Sequence, residues 1–398
     1  MTGDPKDWRL PTRLVRAGLT RSQHHETSEA IFFNSGYVFD NAAQAEAAFK
    51  GENDVYIYSR YGNPTVSMFE ERLAALEGAE MCRGTATGMA AVFAALACFL
   101  KQGDRVVASR ALFGSCHFIV DKVLPRWGVT TRFVDGTNLD EWREALATPA
   151  NAVFLESPSN PMLDLVDVAA VAELAHKAGA RVVIDNVFST PLYQRPLELG
   201  ADIVVYSATK HIDGQGRALG GAVLSTRAWM NEHFIPFYRN TGPSMSPFNA
   251  WVMLKGLETL ELRVERQSAN ALALARYLEA HKGIEFVRYP GLPSFPQHTL
   301  ALRQMSGFGN LVTFVVKGGK RAAFAVADAL ELVDISNNLG DTKSLICHPA
   351  TTTHSRIGAD ERAKLGISDG VLRISVGLEH PDDLAADIGN ALARAAAD

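Results

Sequence analysis

Residues 201–216, ADIVVYSATKHIDGQG, carry the pattern that decides the fold. Ile203, Val204 and Val205 make a short β-branched run suited to a strand buried on both faces. The run stops at Ser207-Ala208-Thr209-Lys210, ahead of a glycine-rich turn. A lysine between hydroxyls, directly after a core strand, is either a solvated loop residue or an amine held against a ligand. The same strand-then-polar pattern occurs upstream in DRVVAS (104–109), TTRFV (130–134), NAVFLES (151–157) and ARVVIDN (180–186). Helical stretches such as DVAAVAELAHKAG (167–179) separate some of these runs, with Gly179 placed to end the helix. Apolar strands alternating with helices predict an α/β architecture, a mostly parallel sheet covered on both faces.

The texture changes near residue 245. SPFNAWVMLKGLETLELRVERQSANALALARYLEAHKG (246–283) reads as one long helix, straight or kinked, starting at a Ser-Pro. After it, IEFVRY, NLVTFVVKGG, a helix at about 320–330, LVDISNN, GVLRISVG and a last helix predict a smaller α+β domain. Residues 1–60 show no core pattern of their own and are expected to lie as an arm on another surface. The expected organisation is therefore an arm over 1–60 serving a neighbouring subunit, a large domain over 61–245 and a C-terminal domain over 246–398.

With 398 residues, 47% hydrophobic and 21% charged, the chain has a globular composition and length for two or three cores. A net charge of −5 without a basic stripe argues against nucleic acid as a partner. No apolar run approaches the ~18 residues of a membrane span, and the N-terminal sequence lacks the apolar core of a signal peptide, so a cytoplasmic location is expected. Cys82, Cys98, Cys116 and Cys347 lack metal or disulfide spacing and read as small buried hydrophobes. His348 and His354 stand six residues apart around a proline and read as structural, so no metal is expected.

In open parallel sheets ligands bind beyond the carboxyl ends of the strands. Those ends supply Glu156-Ser157-Pro158-Ser159-Asn160-Pro161, Asp185-Asn186, and Ser207, Thr209 and Lys210; GTATGMAA (84–91) leads into a helix start suited to phosphate. Singly, each has a plainer reading as a cap, turn or surface charge. Together they fit pyridoxal 5′-phosphate. Lys210 is suited to a Schiff base with the aldehyde, and Asp185 to the pyridine nitrogen, where a carboxylate keeps the ring an electron sink. Gly88, Met89, Ser207 and Thr209 suit the phosphate. YIYSRYGNPT (56–65) contributes Tyr58 and Arg60, while Arg373, in mid-strand among apolar residues, is either a clamp for an amino-acid carboxylate or half of a structural ion pair.

The ordered set YSRYGNPT, ESPSNP, IDNVFSTP, SATKH, LGDTKSLICHPATTTH and LRISVGLE resembles the Cys/Met-metabolism family of pyridoxal-phosphate enzymes, from about residue 12 to the C-terminus. The resemblance implies the aspartate-aminotransferase-like fold (fold type I) and a homotetramer built of active-site dimers. It implies that Lys210 carries the cofactor, Asp185 partners its nitrogen, Arg373 with Asn160 takes the α-carboxylate, and Tyr58 and Arg60 reach the phosphate from the neighbouring subunit. Phe113 stands where many relatives stack a tyrosine on the ring; a phenyl stacks without offering a hydroxyl for proton traffic. Asn338 takes the place of a serine near the carboxylate, and Val187 that of a threonine near the cofactor.

Lys343-Ser344 in NNLGDTKSL, and Ser115 two residues after Phe113, resemble the sulfhydrylase branch rather than the lyases. The expected reaction is γ-replacement on a homoserine ester: O-succinyl-L-homoserine and sulfide give L-homocysteine and succinate, a step toward methionine. Arg110 is the candidate partner of the distal carboxylate. An acetyl ester, cysteine as nucleophile, or γ-elimination would make a different member of the same family. Outside it, Tyr206 and Lys210 spell the Y-x-x-x-K pair of short-chain dehydrogenases, but a strand end and following glycines are the wrong context. A non-catalytic homologue would have lost the lysine, the aspartate or the arginine, and all three are present.

Overall fold

The computed structural model describes residues 7–397, so the first six residues of the arm expected over 1–60 lie outside the described residues. In chain order the strands are β1 (Met81–Thr85), β2 (Arg105–Ser109), β3 (Thr130–Val134), β4 (Ala152–Glu156), β5 (Arg181–Asp185), β6 (Ile203–Tyr206), β7 (Gly221–Ser225), β8 (Ile284–Arg288), β9 (Leu311–Val316), β10 (Asp334–Ile335), β11 (Leu345–Cys347) and β12 (Val371–Ser375). A seven-stranded sheet has the order β1-β7-β6-β5-β4-β2-β3, and a five-stranded sheet the order β10-β11-β12-β9-β8. Each run quoted around ADIVVYS forms a strand where its apolar residues predict one, and β2, β3, β4 and β5 pair in parallel. With helices between these strands, the α/β expectation is met.

The chain divides into two compact units. One takes the residues up to Phe99 with Val205–Thr209 and Arg217–Thr259. In it β1 pairs with β7 antiparallel, a pair that the sequence pattern does not announce. Arg83 and Gly84 interrupt the apolar run of β1, and they are held there by the buried Glu70, whose carboxylate accepts from the Arg83 guanidinium at 2.6 Å and from the Gly84 N–H at 2.7 Å. Helix Pro64–Glu77 starts at Asn63, whose side chain accepts from the Thr65 N–H, and stops at Gly78 in the left-handed region. Residues 7–60 contribute two short helices, Leu10–Arg16 and Ala42–Lys50, and leave Phe33, Val38 and Phe49 exposed.

The other unit holds Leu100–Val204, Lys210–Gly216 and the residues from Leu260 onward. Val153, Phe154, Leu155, Val182, Val183 and Ile184 are fully buried, as two-sided burial of β4 and β5 requires. A second core lies on the five-stranded sheet, where Val312, Phe314, Leu372 and Ile374 pack with Leu384 and Ile388 of the last helix, Pro381–Ala397. Burying each such side chain contributes about 1.5–3 kcal/mol.

The long helix expected over 246–283, with a kink allowed for, is two helices, Pro247–Glu258 and Leu260–Glu279. The break falls at Thr259, whose backbone (φ −114°, ψ 10°) is outside the helical region. A β-branched residue with a hydroxyl that competes for backbone hydrogen bonds is a physical reason for stopping there.

Candidate functional site

The carboxyl ends of β4 and β5 and the segment after β6 bring the second unit's candidate residues together. The Lys210 amine donates to Asn338 Oδ1 at 2.6 Å. Burial, assisted by the positive charge of Arg373 and opposed by Asp185, brings the amine down to about 8, so a substantial neutral fraction exists near neutral pH. Asp185 ends β5; its carboxylate accepts from the Val187 N–H at 3.1 Å, and burial raises its pKa against the pull of that N–H and of Lys210.

Arg373 sits inside β12, 1% exposed. Its guanidinium donates to Asn160 Oδ1 at 3.0 Å and to the carbonyls of Asn337 and Asn338 at 3.0 and 3.3 Å, while its Nε–H has no partner. Those partners are neutral, and among the described residues no carboxylate pairs with it. A buried guanidinium served only by amide oxygens is equipped for an external anion, and that removes the structural ion pair as the explanation.

The loop between β10 and β11 is held by a further network. His211 donates from Nε2 to Asn310 Oδ1 at 2.8 Å, Asn310 donates to Ser375 Oγ at 3.1 Å, and that oxygen accepts the Gly340 N–H at 2.9 Å. Burial lowers His211 to about 4, leaving it neutral. Gly340, at φ +74°, is required because a Cβ would stand 2.7 Å from the His211 nitrogen.

Other expected residues have defined surroundings too. Phe113 is half-buried, and its N–H donates to Glu156 Oε1 at 2.6 Å. Arg110 pairs with Glu361 at 3.1 Å. Ser344 is fully buried; its hydroxyl donates to Glu379 at 2.8 Å and accepts the Gly377 N–H at 2.8 Å, whereas Lys343 reaches Asp341 at 3.0 Å from an exposed position. His348 and His354 bond to Thr351, Asp369, Thr353 and Asn160.

In the first unit, Thr87 caps helix Gly88–Ala97 by accepting the Ala90 N–H, leaving Gly88 and Met89 in its first turn. A Cβ on Gly88 would meet the Ser207 Cβ at 2.5 Å and its Oγ at 2.8 Å, so only glycine lets that hydroxyl stand at the helix start. Thr209 Oγ1 accepts the Gly220 N–H at 3.1 Å. The Arg60 guanidinium lies 5.4 Å from the ring centre of Tyr58 and donates to the Arg239 carbonyl. Tyr206 ends β6 with its hydroxyl on the buried Glu77, and not on a helix, which disposes of the dehydrogenase pair.

The family profile described as Cys/Met metabolism PLP-dependent enzyme matches residues 11–393. The chain belongs to this family. It is 58% identical over 382 residues to an O-succinylhomoserine sulfhydrylase of Mycobacterium tuberculosis H37Rv, covering 95% of this chain and 94% of the relative. It is 52% identical over 382 residues to the O-succinylhomoserine sulfhydrylase of Pseudomonas aeruginosa, covering 96% and 94%. Among solved structures, cystathionine γ-synthase from Xanthomonas oryzae pv. oryzae aligns with TM-score 0.93 and 36% identity, covering 98% of this chain and 99% of that one. A putative O-acetylhomoserine (thiol)-lyase from Campylobacter jejuni, solved with pyridoxyl-lysine phosphate, aligns with TM-score 0.93 and 32% identity over 97% and 100% of the two chains.

Family membership establishes a fold type I enzyme that uses pyridoxal phosphate in Cys/Met metabolism. The residues of each unit fit that cofactor: in the second, an amine of lowered basicity, a carboxylate within its field and a buried cation that no carboxylate among the described residues pairs with; in the first, a helix start opened by Gly88. No helix among the described residues is long and apolar enough to cross a membrane. What the sequence reading missed is the surroundings of Glu156. That side chain meets Asp185 and Cys116, with one ligand-type atom of each within 4.8 Å of the others. The signal available was positional: Glu156 and Asp185 each close a strand of the same length at the same sheet edge.

Proposed function

We propose that the enzyme catalyses γ-replacement on a homoserine ester: O-succinyl-L-homoserine and sulfide give L-homocysteine and succinate. The observation that carries an amino-acid reaction is Arg373, a buried guanidinium without a carboxylate partner, one residue contact away from the lysine through Asn338. The similarity to the two sulfhydrylases supports the choice of ester and nucleophile.

In this reading Lys210 holds the cofactor, Asp185 faces its ring nitrogen and Phe113 its ring. Gly88, Met89, Ser207 and Thr209 take the phosphate, joined by Tyr58 and Arg60 of a neighbouring subunit in a homotetramer, whose arm over 1–60 would carry them. The cofactor supplies an electron sink for negative charge at the substrate α-carbon. Arg373 and Asn160, with Asn338 beside them, orient the α-carboxylate. Lys210, once released, removes the α-proton and carries protons to and from the β-carbon. The Cγ–O bond to succinate breaks and the Cγ–S bond forms. Arg110 is the residue for the distal carboxylate, which would exchange with Glu361 for the guanidinium. The cytoplasm is the corresponding location.

The test is a substrate panel on the purified holoenzyme, with O-succinyl- or O-acetyl-homoserine and sulfide or cysteine. The proposal requires homocysteine from the succinyl ester and sulfide to be the fastest product. Faster cystathionine formation from cysteine would make the enzyme a cystathionine γ-synthase instead.

A further inference from the structure

Glu156 and Asp185 are register partners at the ends of the parallel strands β4 and β5, so their side chains leave the sheet side by side. The Cys116 thiol completes the cluster. Glu156 is 5% exposed and Cys116 1%. Two adjacent carboxylates out of water cannot both hold a negative charge at modest cost, so such a pair retains a proton between them. The thiol offers no counter-charge: burial raises it far above its ordinary value, so it stays S–H, a poor metal ligand and a weak donor to Glu156.

The surroundings decide where the proton resides. Asp185 is the less buried of the two, accepts the Val187 N–H and lies within the field of Lys210, all of which favour its anion. Glu156 is deeper and has Asp185 as its negative neighbour; burial first and that charge second favour its neutral form, and they outweigh the donors at Phe113, Cys116 and Asn160. A protonated Glu156 still accepts the Phe113 N–H at 2.6 Å on Oε1, and a carboxylate oxygen of Asp185 lies within 4.8 Å to share its proton.

We propose that Glu156 is a positioning residue that keeps the proton of this carboxyl pair, so that Asp185 is the anion presented to the cofactor's ring nitrogen, while its other oxygen fixes the backbone of Phe113. One buried side chain thereby couples the residue below the ring nitrogen to the aromatic expected on the ring face. The inference rests on the assignment of Asp185 under the proposed function.

The test is infrared spectroscopy of the holoenzyme near pH 8, read in the carbonyl-stretch region of protonated carboxylic acids. A band is expected that disappears in Glu156→Gln and shifts when glutamate side-chain carboxyls are labelled with 13C; the label serves even if the variant folds poorly. Glu156→Gln, neutral like the protonated acid, should keep the cofactor's absorbance and its pH dependence. Glu156→Ala should weaken cofactor binding by about tenfold through loss of the Phe113 contact. Absence of the band, its survival in Glu156→Gln, or insensitivity to the label would overturn the proposal. The underlying assignment fails separately, if Asp185→Asn leaves the cofactor's absorbance unchanged.

Discussion

Lys210 and Asn338 share a 2.6 Å hydrogen bond, and the backbone carbonyl of Asn338 in turn accepts from Arg373 at 3.3 Å. The same asparagine therefore serves the amine through its side chain and the guanidinium through its backbone, which ties the spacing of the two groups that the proposed reaction brings to one amino acid. Asn338→Ala should cut kcat/KM by about 3- to 30-fold, from the loss of one hydrogen bond of this kind, with little change in far-UV circular dichroism.

Arg373 gives a sharper expectation. Replacing it by alanine removes a charge-assisted pair to the substrate, about 1.5–3 kcal/mol, so kcat/KM should fall roughly 10- to 150-fold. Lysine keeps the charge but not the planar fork and should recover only part of it. A substrate with its α-carboxylate converted to an amide should lose the same factor with the wild-type enzyme and little further with the alanine variant.

Ser344, the second residue of the Lys343-Ser344 pair that resembles the sulfhydrylases, has no free hydroxyl to offer a substrate. Its Oγ donates to Glu379 and accepts from Gly377. Ser344→Ala should therefore cost about 1–3 kcal/mol of stability, measured by chemical denaturation, while leaving the ratio of succinyl to acetyl ester turnover unchanged.

The burial of Lys210 makes stability depend on pH in the cofactor-free protein. Below about 8 the amine is charged both folded and unfolded, and the cost of burying that charge is fully present. Between about 8 and its ordinary 10.5 the unfolded chain binds the extra proton, so stability rises with pH, and above 10.5 the cost is gone. Lys210→Met should raise the melting temperature by about 4 °C at pH 7, and the gap should largely close by pH 10.5.

The strands around Lys210 are legible in the sequence because two-sided burial leaves continuous β-branched runs. β1 and β7 are not, since MCRGT carries an arginine and a glycine whose places are set by Glu70, eleven residues before the strand begins. The break at Thr259 is likewise invisible to periodicity, because the apolar spacing continues through it. Lys210, Asp185 and Arg373 are legible as strand-end or mid-strand anomalies. Glu156 and Cys116 are not, because their meaning lies in a contact across β4 and β5 and not in the spacing along either strand. Arg110 shows the converse limit: the sequence offers a cation, and only the structure shows that Glu361 already holds it.

The central claim is that Lys210 is the amine on which the cofactor is carried and about which the other residues are arranged. Borohydride reduction of the holoenzyme, followed by proteolysis and peptide mass spectrometry, measures this directly. The account predicts the pyridoxyl-phosphate mass on Lys210 alone, its disappearance in Lys210→Ala, and at least a ~10²-fold loss of turnover in that variant. A pyridoxyl label on another lysine, or full turnover by Lys210→Ala, would contradict it.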